Sequence, residues 1–344
     1  MPAIITAIIA CQGTFELRES TVRTFFLGWT AQYERHFIQY LATRYDVTRL
    51  EVPKLLKRLH RIATVFSKTD RVQDRHILFL GRLYSAAKGF DRSDMLICNE
   101  GHVRRNVLPS IISAFPGRKV LLVRDLVDSA FIEEMSPFFD RIYSFDQSQC
   151  RMLGMQYLNQ FFPLGFAEAE QATATDPIQK TSKPHCFFLG RDKGRSAVLD
   201  RLGTALEQLG CVVDFRIVRD ITSTPETRFH SDVLLDYESN LKLSLSADVL
   251  IEINQPGQAG FTLRTLEAAY FGKKLITNND SVKDTQLYDP SNIFVIGAGD
   301  QWDVSALRDF LKTPFKPLSK ETLYAHSPDY MLEHLMKENS TAPC

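Results

Sequence analysis

Arg264 and Glu267 stand three residues apart behind a glycine loop, in the segment IEINQPGQAGFTLRTLEAAYFGKKLITNN, residues 251–279. At that spacing a guanidinium and a carboxylate share one helical face. Upstream, Asn254 and Gln258 offer amides suited to sugar hydroxyls, and Gly260, Phe261 and Thr262 lead the backbone to the head of the helix. A helix N-terminus attracts phosphate, and a carboxylate such as Glu267 can accept hydrogen bonds from both hydroxyls of a ribose. The set suits a ligand with both phosphate and hydroxyls, such as a nucleotide sugar. The plain alternative is an intrahelical ion pair worth roughly 0.2–0.5 kcal/mol. The NQPGQAGFT loop ahead of it favours the functional reading.

A second set lies in LGRDKGRSAVLDRL, residues 189–202, where Gly190 is followed by Arg191, Lys193 and Arg195 around Gly194. Backbone N–H groups at a helix start, helped by mobile cations, would hold a diphosphate there. A solvated basic turn is the alternative. The third set is ionisable residues at strand ends in the first half: Glu100 and His102, Asp125 and Asp128, and Asp146. Any of them could take a proton from an attacking hydroxyl, and strand-end acids also commonly cap the next helix. Glu100 ranks first as general base and Asp125 second. In the fourth set, PKLLKRLHRI, Lys54, Lys57, Arg58 and Arg61 oppose Leu55, Leu56, Leu59 and Ile62. Residues 54–61 are open to two readings, a core-packed helix with a solvated basic face or peripheral contact with anionic lipid headgroups. With Arg71, Arg75, Arg82 and Lys88 the patch could also meet a phosphorylated glycan.

These residues need elements to hold them. Apolar runs such as TVRTFFLGW, VTRLEV, DMLIC, KVLLV and RIYSF read as strands, with helices between them, including AQYERHFIQYLATRY behind a Thr30 cap. A second series follows: HCFFLG, CVVDFRIV, ADVLIEI, KKLITNN and NIFVIG. The alternation predicts an α/β fold of two doubly wound, mostly parallel sheets. Residues 1–166 form a first lobe, 167–184 a linker and 185–325 a nucleotide-binding lobe. In 326–344 the amphipathic SPDYMLEHLMKE is long enough to pack back on the first lobe.

With 344 residues, and 41 Lys+Arg against 41 Asp+Glu, the chain is long enough for two domains and has no global field to recruit nucleic acid. No nucleic-acid motif appears. The six cysteines are scattered without a CxxC pair, which fits thiols of a reducing compartment and argues against a zinc site. The opening MPAIITAIIACQG is too short to span a bilayer and lacks a basic n-region, so it reads as a strand, with an extension upstream of the true start as the alternative, in a cytoplasmic protein.

The second half resembles the C-terminal lobe of GT-B glycosyltransferases, in particular bacterial proteins of lipopolysaccharide and capsular polysaccharide biosynthesis. The resemblance rests on FFLGRDKGR (187–195), SADVLIEINQPGQAGFTLRTLEA (246–268), KKLITNN (273–279) and YDPSNIFVI (288–296), and FDRIYSFD with FFPLGF resembles the close of the first lobe. It implies that Glu267 binds the donor ribose, that Gly260–Thr262 approach the phosphates and that the Arg191–Arg195 turn lines an interlobe cleft. The function implied is sugar transfer from a nucleotide-sugar donor to a glycan or lipid-linked acceptor, with no further cofactor. No DxD signature precedes a glycine-rich catalytic loop, so no metal is expected. The family's Glu-x7-Glu pattern is broken by Ala259 and Leu275, so stereochemistry cannot be carried over. Rival readings are a nucleotide-sugar epimerase of GT-B shape, a Rossmann-type oxidoreductase (which lacks its GxGxxG) and a non-catalytic nucleotide-sugar-binding assembly protein.

Overall fold

Short apolar runs bounded by polar turns become strands buried on both faces, as a parallel sheet covered by helices requires. In the computed structural model, which describes residues 22–66, 75–103, 109–175, 183–233, 235–254, 260–297 and 299–339, this holds for the central strands of both halves of the chain. The first sheet contains β1 (Thr24–Leu27), β2 (Val47–Leu50), β3 (Met95–Asn99), β4 (Arg118–Val123), β5 (Arg141–Ser144) and β6 (Gln156–Tyr157), all parallel, in the order β2-β1-β3-β4-β5-β6. The chain moves outward from β1 to β2, then returns past β1 to β3. The switch point therefore lies between the carboxyl ends of β1 and β3, where such sheets open a crevice for ligands.

The helices of this half are α1 (Gln32–Ala42), α2 (Lys54–Phe66), α3 (Arg75–Lys88), α4 (Glu100–Val103), α5 (Pro109–Ala114), α6 (Ser129–Met135) and α7 (Gln147–Leu153). Phe25, Leu27, Leu96, Cys98, Leu121 and Val123 form the centre of its core with Ile111, Ile112 and Phe115. Helix α1 starts one residue later than a Thr30 cap implies. Ala31 holds the cap position, and Glu34 reaches back to accept its N–H at 2.8 Å.

The second sheet contains β7 (His185–Arg191), β8 (Val212–Val218), β9 (His230–Ser231), β10 (Val249–Glu252), β11 (Lys274–Thr277) and β12 (Ile293–Val295), again parallel, in the order β12-β11-β10-β7-β8-β9. Its switch point lies between β7 and β10. Around it are α8 (Phe166–Thr175), α9 (Ser196–Gln208), α10 (Tyr237–Ser246), α11 (Leu263–Phe271), α12 (Val304–Lys312) and α13 (Lys320–Tyr324). The stretch 167–184, expected to be a linker, thus begins as helix. Glu168 accepts the Gly165 N–H at 2.9 Å to close the helix start, and Ala169 is buried in a cluster with Phe162 and Leu164.

The described chain divides into two compact units. One runs from Gln160 to Tyr330, and the other takes the residues before Gln160 together with those from Met331 on. Helix α14 (Pro328–Asn339) therefore begins in one and ends in the other. Its later turns pack on the first sheet's unit, as its amphipathic pattern suggests. Leu332 and Leu335 are fully buried, Tyr45 donates to Glu333 at 3.0 Å, Arg118 donates to the Leu335 carbonyl at 2.6 Å, and Tyr143 donates to Glu338. Among the described residues no helix is long and apolar enough to cross a membrane. The expected strand in MPAIITAIIACQG lies outside the described residues.

Candidate functional site

The β7–β10 switch point brings together the two segments singled out in the second half. Strand β7 ends on Gly190 and Arg191, and the turn Asp192–Arg195 leads into α9. The Asp192 carboxylate, absent from the sequence candidates, organises this turn. Its Oδ1 accepts the N–H groups of Arg195 and Ser196, each at 3.0 Å, and its Oδ2 meets His230 Nε2 at 2.8 Å with both side chains fully buried. Because His230 Nδ1 accepts the Thr227 N–H at 3.0 Å, Nε2 carries the proton and donates to Asp192. Burial alone would raise the Asp192 carboxyl, but hydrogen bonds from His230, Ser223 and Ser196 hold it below its ordinary value.

The same turn revises the expected phosphate cradle. The Lys193 N–H donates to Asp220 at 2.9 Å and the Gly194 N–H to Thr222 at 2.7 Å. The N–H groups from Lys193 to Ser196 are therefore directed at protein acceptors, not toward a ligand. Asp220 is held at about 2 by the hydroxyl and N–H of Thr222 and the N–H of Lys193. Arg195 is also engaged within the fold. Its guanidinium donates to the carbonyls of Ile253, Arg191 and Asp192 and lies over Phe188 at 5.4 Å, and burial lowers its pKa. It ties the end of β7 to the end of β10. Arg191 and Lys193 keep exposed side chains and are the cations left to meet an anion. Lys193 takes a left-handed backbone, φ 49°, and Gly194 follows at φ 76°, which gives the turn its sharp reversal.

At the neighbouring strand end a second carboxylate does similar work. Glu252, the last residue of β10, is buried; its Oε1 accepts the Thr262 N–H at 2.8 Å and hydroxyl, as well as Thr265 at 2.9 Å, and its Oε2 accepts Thr277 at 2.9 Å. It pins the start of α11 to β10 and β11, with a negative charge at the positive end of the helix. Thr262 caps α11 by accepting the Arg264 N–H at 3.1 Å. Asn254 donates to the Gly260 carbonyl at 3.1 Å, and its N–H reaches Asn278 at 2.7 Å. Phe261 is buried with its ring 5.6 Å from that of His326. Gln258 lies outside the described residues.

Arg264 and Glu267 do share a face, and that face points inward. Glu267 is 2 % exposed; its Oε2 accepts from Arg264 at 2.6 Å and Ser244 at 2.9 Å, and Oε1 accepts nothing among the described residues. Burial pushes its carboxyl above the usual range, an effect that Arg264 and Ser244 only partly offset. Arg264 also donates to Asn240 at 3.1 Å and stacks over Phe187 at 5.2 Å. The pair is a buried junction of α10 and α11, well beyond an exposed intrahelical ion pair.

At the β1–β3 switch point of the other unit, Asn99 donates to Glu34 at 3.2 Å and to the Gly28 carbonyl at 3.3 Å. Trp29, packed on Phe26 and Phe37, donates to the Ile97 carbonyl at 3.0 Å. Glu100 is half-buried and accepts the Arg124 N–H at 3.0 Å, and burial raises its carboxyl despite that bond. His102 falls in α4, with its side chain outside the described residues. Asp125 is exposed and accepts the Leu126 N–H at 2.9 Å. Asp128 and Asp146 cap α6 and α7, the ordinary role of strand-end acids.

Sequence reasoning missed Asp192, His230, Glu252 and Glu34. Two signals could have found some of them. Glu252 is an acid inside a four-residue strand buried along its whole length, and Asp192 is a cap-type residue four positions before a helix start.

Solved structures are similar over nearly the whole chain. HepE from Anabaena, in complex with UDP-glucose, aligns with TM-score 0.56 at 11 % identity, covering 93 % of this chain and 99 % of that one. An α-glucosyltransferase in complex with UDP and a 13-mer DNA aligns with TM-score 0.57 at 12 % identity, covering 94 % and 100 %. The fold is that of GT-B glycosyltransferases. No protein-family model matches the sequence, and no curated protein does.

Proposed function

We propose that the protein is a glycosyltransferase that takes its sugar from a nucleotide-sugar donor bound at the β7–β10 switch point. The observation that carries this reading is the adjacency at one switch point of the end of β7, with the exposed Arg191 and Lys193 after it, and the end of β10, from which the chain leads to the start of α11. It is supported by a fold shared with HepE, which was solved with UDP-glucose. Glu267 Oε1 would accept from the ribose, with Oε2 held by Arg264 and Ser244. Arg191 and Lys193, with the dipole of α11, would stabilise the diphosphate as it leaves.

Glu100 is the proposed base. Its raised proton affinity and its place at the other sheet's switch point suit it to take the acceptor hydroxyl's proton. The hydroxyl oxygen then bonds to the sugar's C1 while the bond from C1 to the phosphate oxygen breaks. The acceptor in this reading is a glycan or lipid-linked glycan of a bacterial surface polysaccharide. The protein works on the cytoplasmic side, and leaving-group charge is met by side chains without a metal.

The test is a panel of UDP-, GDP-, CMP- and dTDP-sugars scored by thermal shift and by donor hydrolysis. One base should stabilise the protein. Arg191→Ala with Lys193→Ala should weaken that donor about tenfold or more, and Glu267→Gln should weaken it too. Glu100→Gln should keep donor binding and lose turnover. Silence across the panel in both readouts would sink the reading, and a thermal shift without turnover would leave a binding module.

A further inference from the structure

The charge balance of the chain breaks down between residues 53 and 88. Nine Lys and Arg stand there against Asp70 and Asp74 alone, in a protein with 41 of each sign, and neither α2 nor α3 contains an acid. The apolar face of α2, which a core-packed helix would bury, is in solvent: Leu55 is 68 % exposed, Leu59 42 % and Ile62 55 %. Leu56, by contrast, is partly buried against the first core. On α3, which packs against α2, Phe79 is 64 % exposed and Leu83 58 %. Five of the twelve large apolar side chains exposed among the described residues therefore sit on these two helices. Their spacing, i, i+4, i+7 on α2 and i, i+4 on α3, makes stripes and not a scatter. Lys54, Lys57, Arg58 and Arg82 are exposed beside them.

We propose that this face of α2 and α3 is a docking surface for an anionic lipid bilayer. The apolar stripes enter the boundary between headgroups and acyl chains, while the cations, on long apolar stems, reach the phosphates. Charge selects this occupant. A second copy of the chain would set one basic face against another. The apolar residues 1–13 carry no acid to answer the cations. A dissolved phosphorylated glycan would satisfy the cations and leave the Leu, Ile and Phe side chains in water. This surface is independent of the transferase reading, and its test contains no sugar donor.

The experiment is flotation of the full chain with vesicles of phosphatidylcholine alone, or of phosphatidylcholine mixed with an equal part of phosphatidylglycerol. The protein should float with the anionic vesicles, stay behind with the neutral ones, and be released in roughly 1 M salt, where screening acts within about 3 Å. Leu55→Gln with Phe79→Gln, and separately Lys54→Gln, Lys57→Gln and Arg58→Gln together, should each lower vesicle partition at least about tenfold. All five positions are exposed, so unfolding midpoints should match the wild type. Absence of wild-type binding to anionic vesicles, or equal binding to neutral ones, overturns the proposal without reference to any variant. Binding that ignores the apolar pair and yields to inorganic phosphate overturns it in favour of a phosphate-bearing soluble ligand. A wild-type dimer that the apolar pair converts to monomer overturns it in favour of self-association.

Discussion

Arg191 and Arg195 look alike in the sequence, two guanidiniums on one basic turn, and the fold gives them opposite roles. Arg195 spends its donors on the carbonyls of Ile253, Arg191 and Asp192, whereas Arg191 is exposed. Charge-assisted bonds to carbonyls at buried strand ends contribute to stability, and removing their donor leaves the acceptors desolvated. Arg195→Met should therefore lower the free energy of urea unfolding by about 2–4 kcal/mol, while Arg191→Ala should change it by less than about 0.5 kcal/mol and act on donor affinity instead. A stable Arg195→Met protein with weakened donor binding would return Arg195 to the ligand. The sequence could not separate the two, because Arg195's partner carbonyl at Ile253 lies 58 positions away. The Asp192–His230 pair, 38 positions apart, was hidden for the same reason.

At the scale of elements, one histidine joins the chain's two passages between the units. Phe162 donates its N–H to the His326 carbonyl at 2.8 Å, and His326 Nδ1 donates to the Gln160 carbonyl at 2.8 Å. Burial lowers the ring's pKa, only partly opposed by that carbonyl. The fold thus favours the neutral ring, and the unfolded chain takes the proton first. This contribution is fully present above about pH 6.5 and declines as the pH falls below it, until the folded ring also protonates. His326→Gln, which can still donate to Gln160, should flatten the pH dependence of unfolding free energy between about pH 5 and 7; an unchanged slope would assign that dependence elsewhere. Elements of this kind were only partly legible. The strands stood out because burial on both faces demands unbroken apolar runs such as residues 95–98. Helix α8 did not, since its start depends on Glu168 reaching back to Gly165 and its apolar contacts come from residues distant in sequence. Helix α2 was legible as amphipathic, yet only the structure shows that Leu55, Leu59 and Ile62 are exposed.

For the whole molecule, the chain order of the two units assigns the last helix to the first sheet. The candidate donor site lies within Gln160–Tyr330, and the residues from Met331 on belong with β1 to β6. Cutting the chain after Tyr330 removes Met331, Leu332 and Leu335, all essentially buried, and the polar clamp of Glu338 on Arg118 and Tyr143. Each large buried apolar side chain contributes roughly 1.5–3 kcal/mol, so the loss is comparable with the total stability of an ordinary domain. The amides of β4 and β5, whose Arg118 and Tyr143 contact the helix, should then exchange with solvent much faster. Strands β7, β10 and β11 keep their own core of Cys186, Phe188, Val249, Ile251 and Ile276 and should retain their protection. Hydrogen exchange read by mass spectrometry on intact and truncated chains resolves the two sheets separately. Protection lost equally in both would mean that the C-terminal helix supports the second sheet as much as the first, contrary to the contacts that hold it.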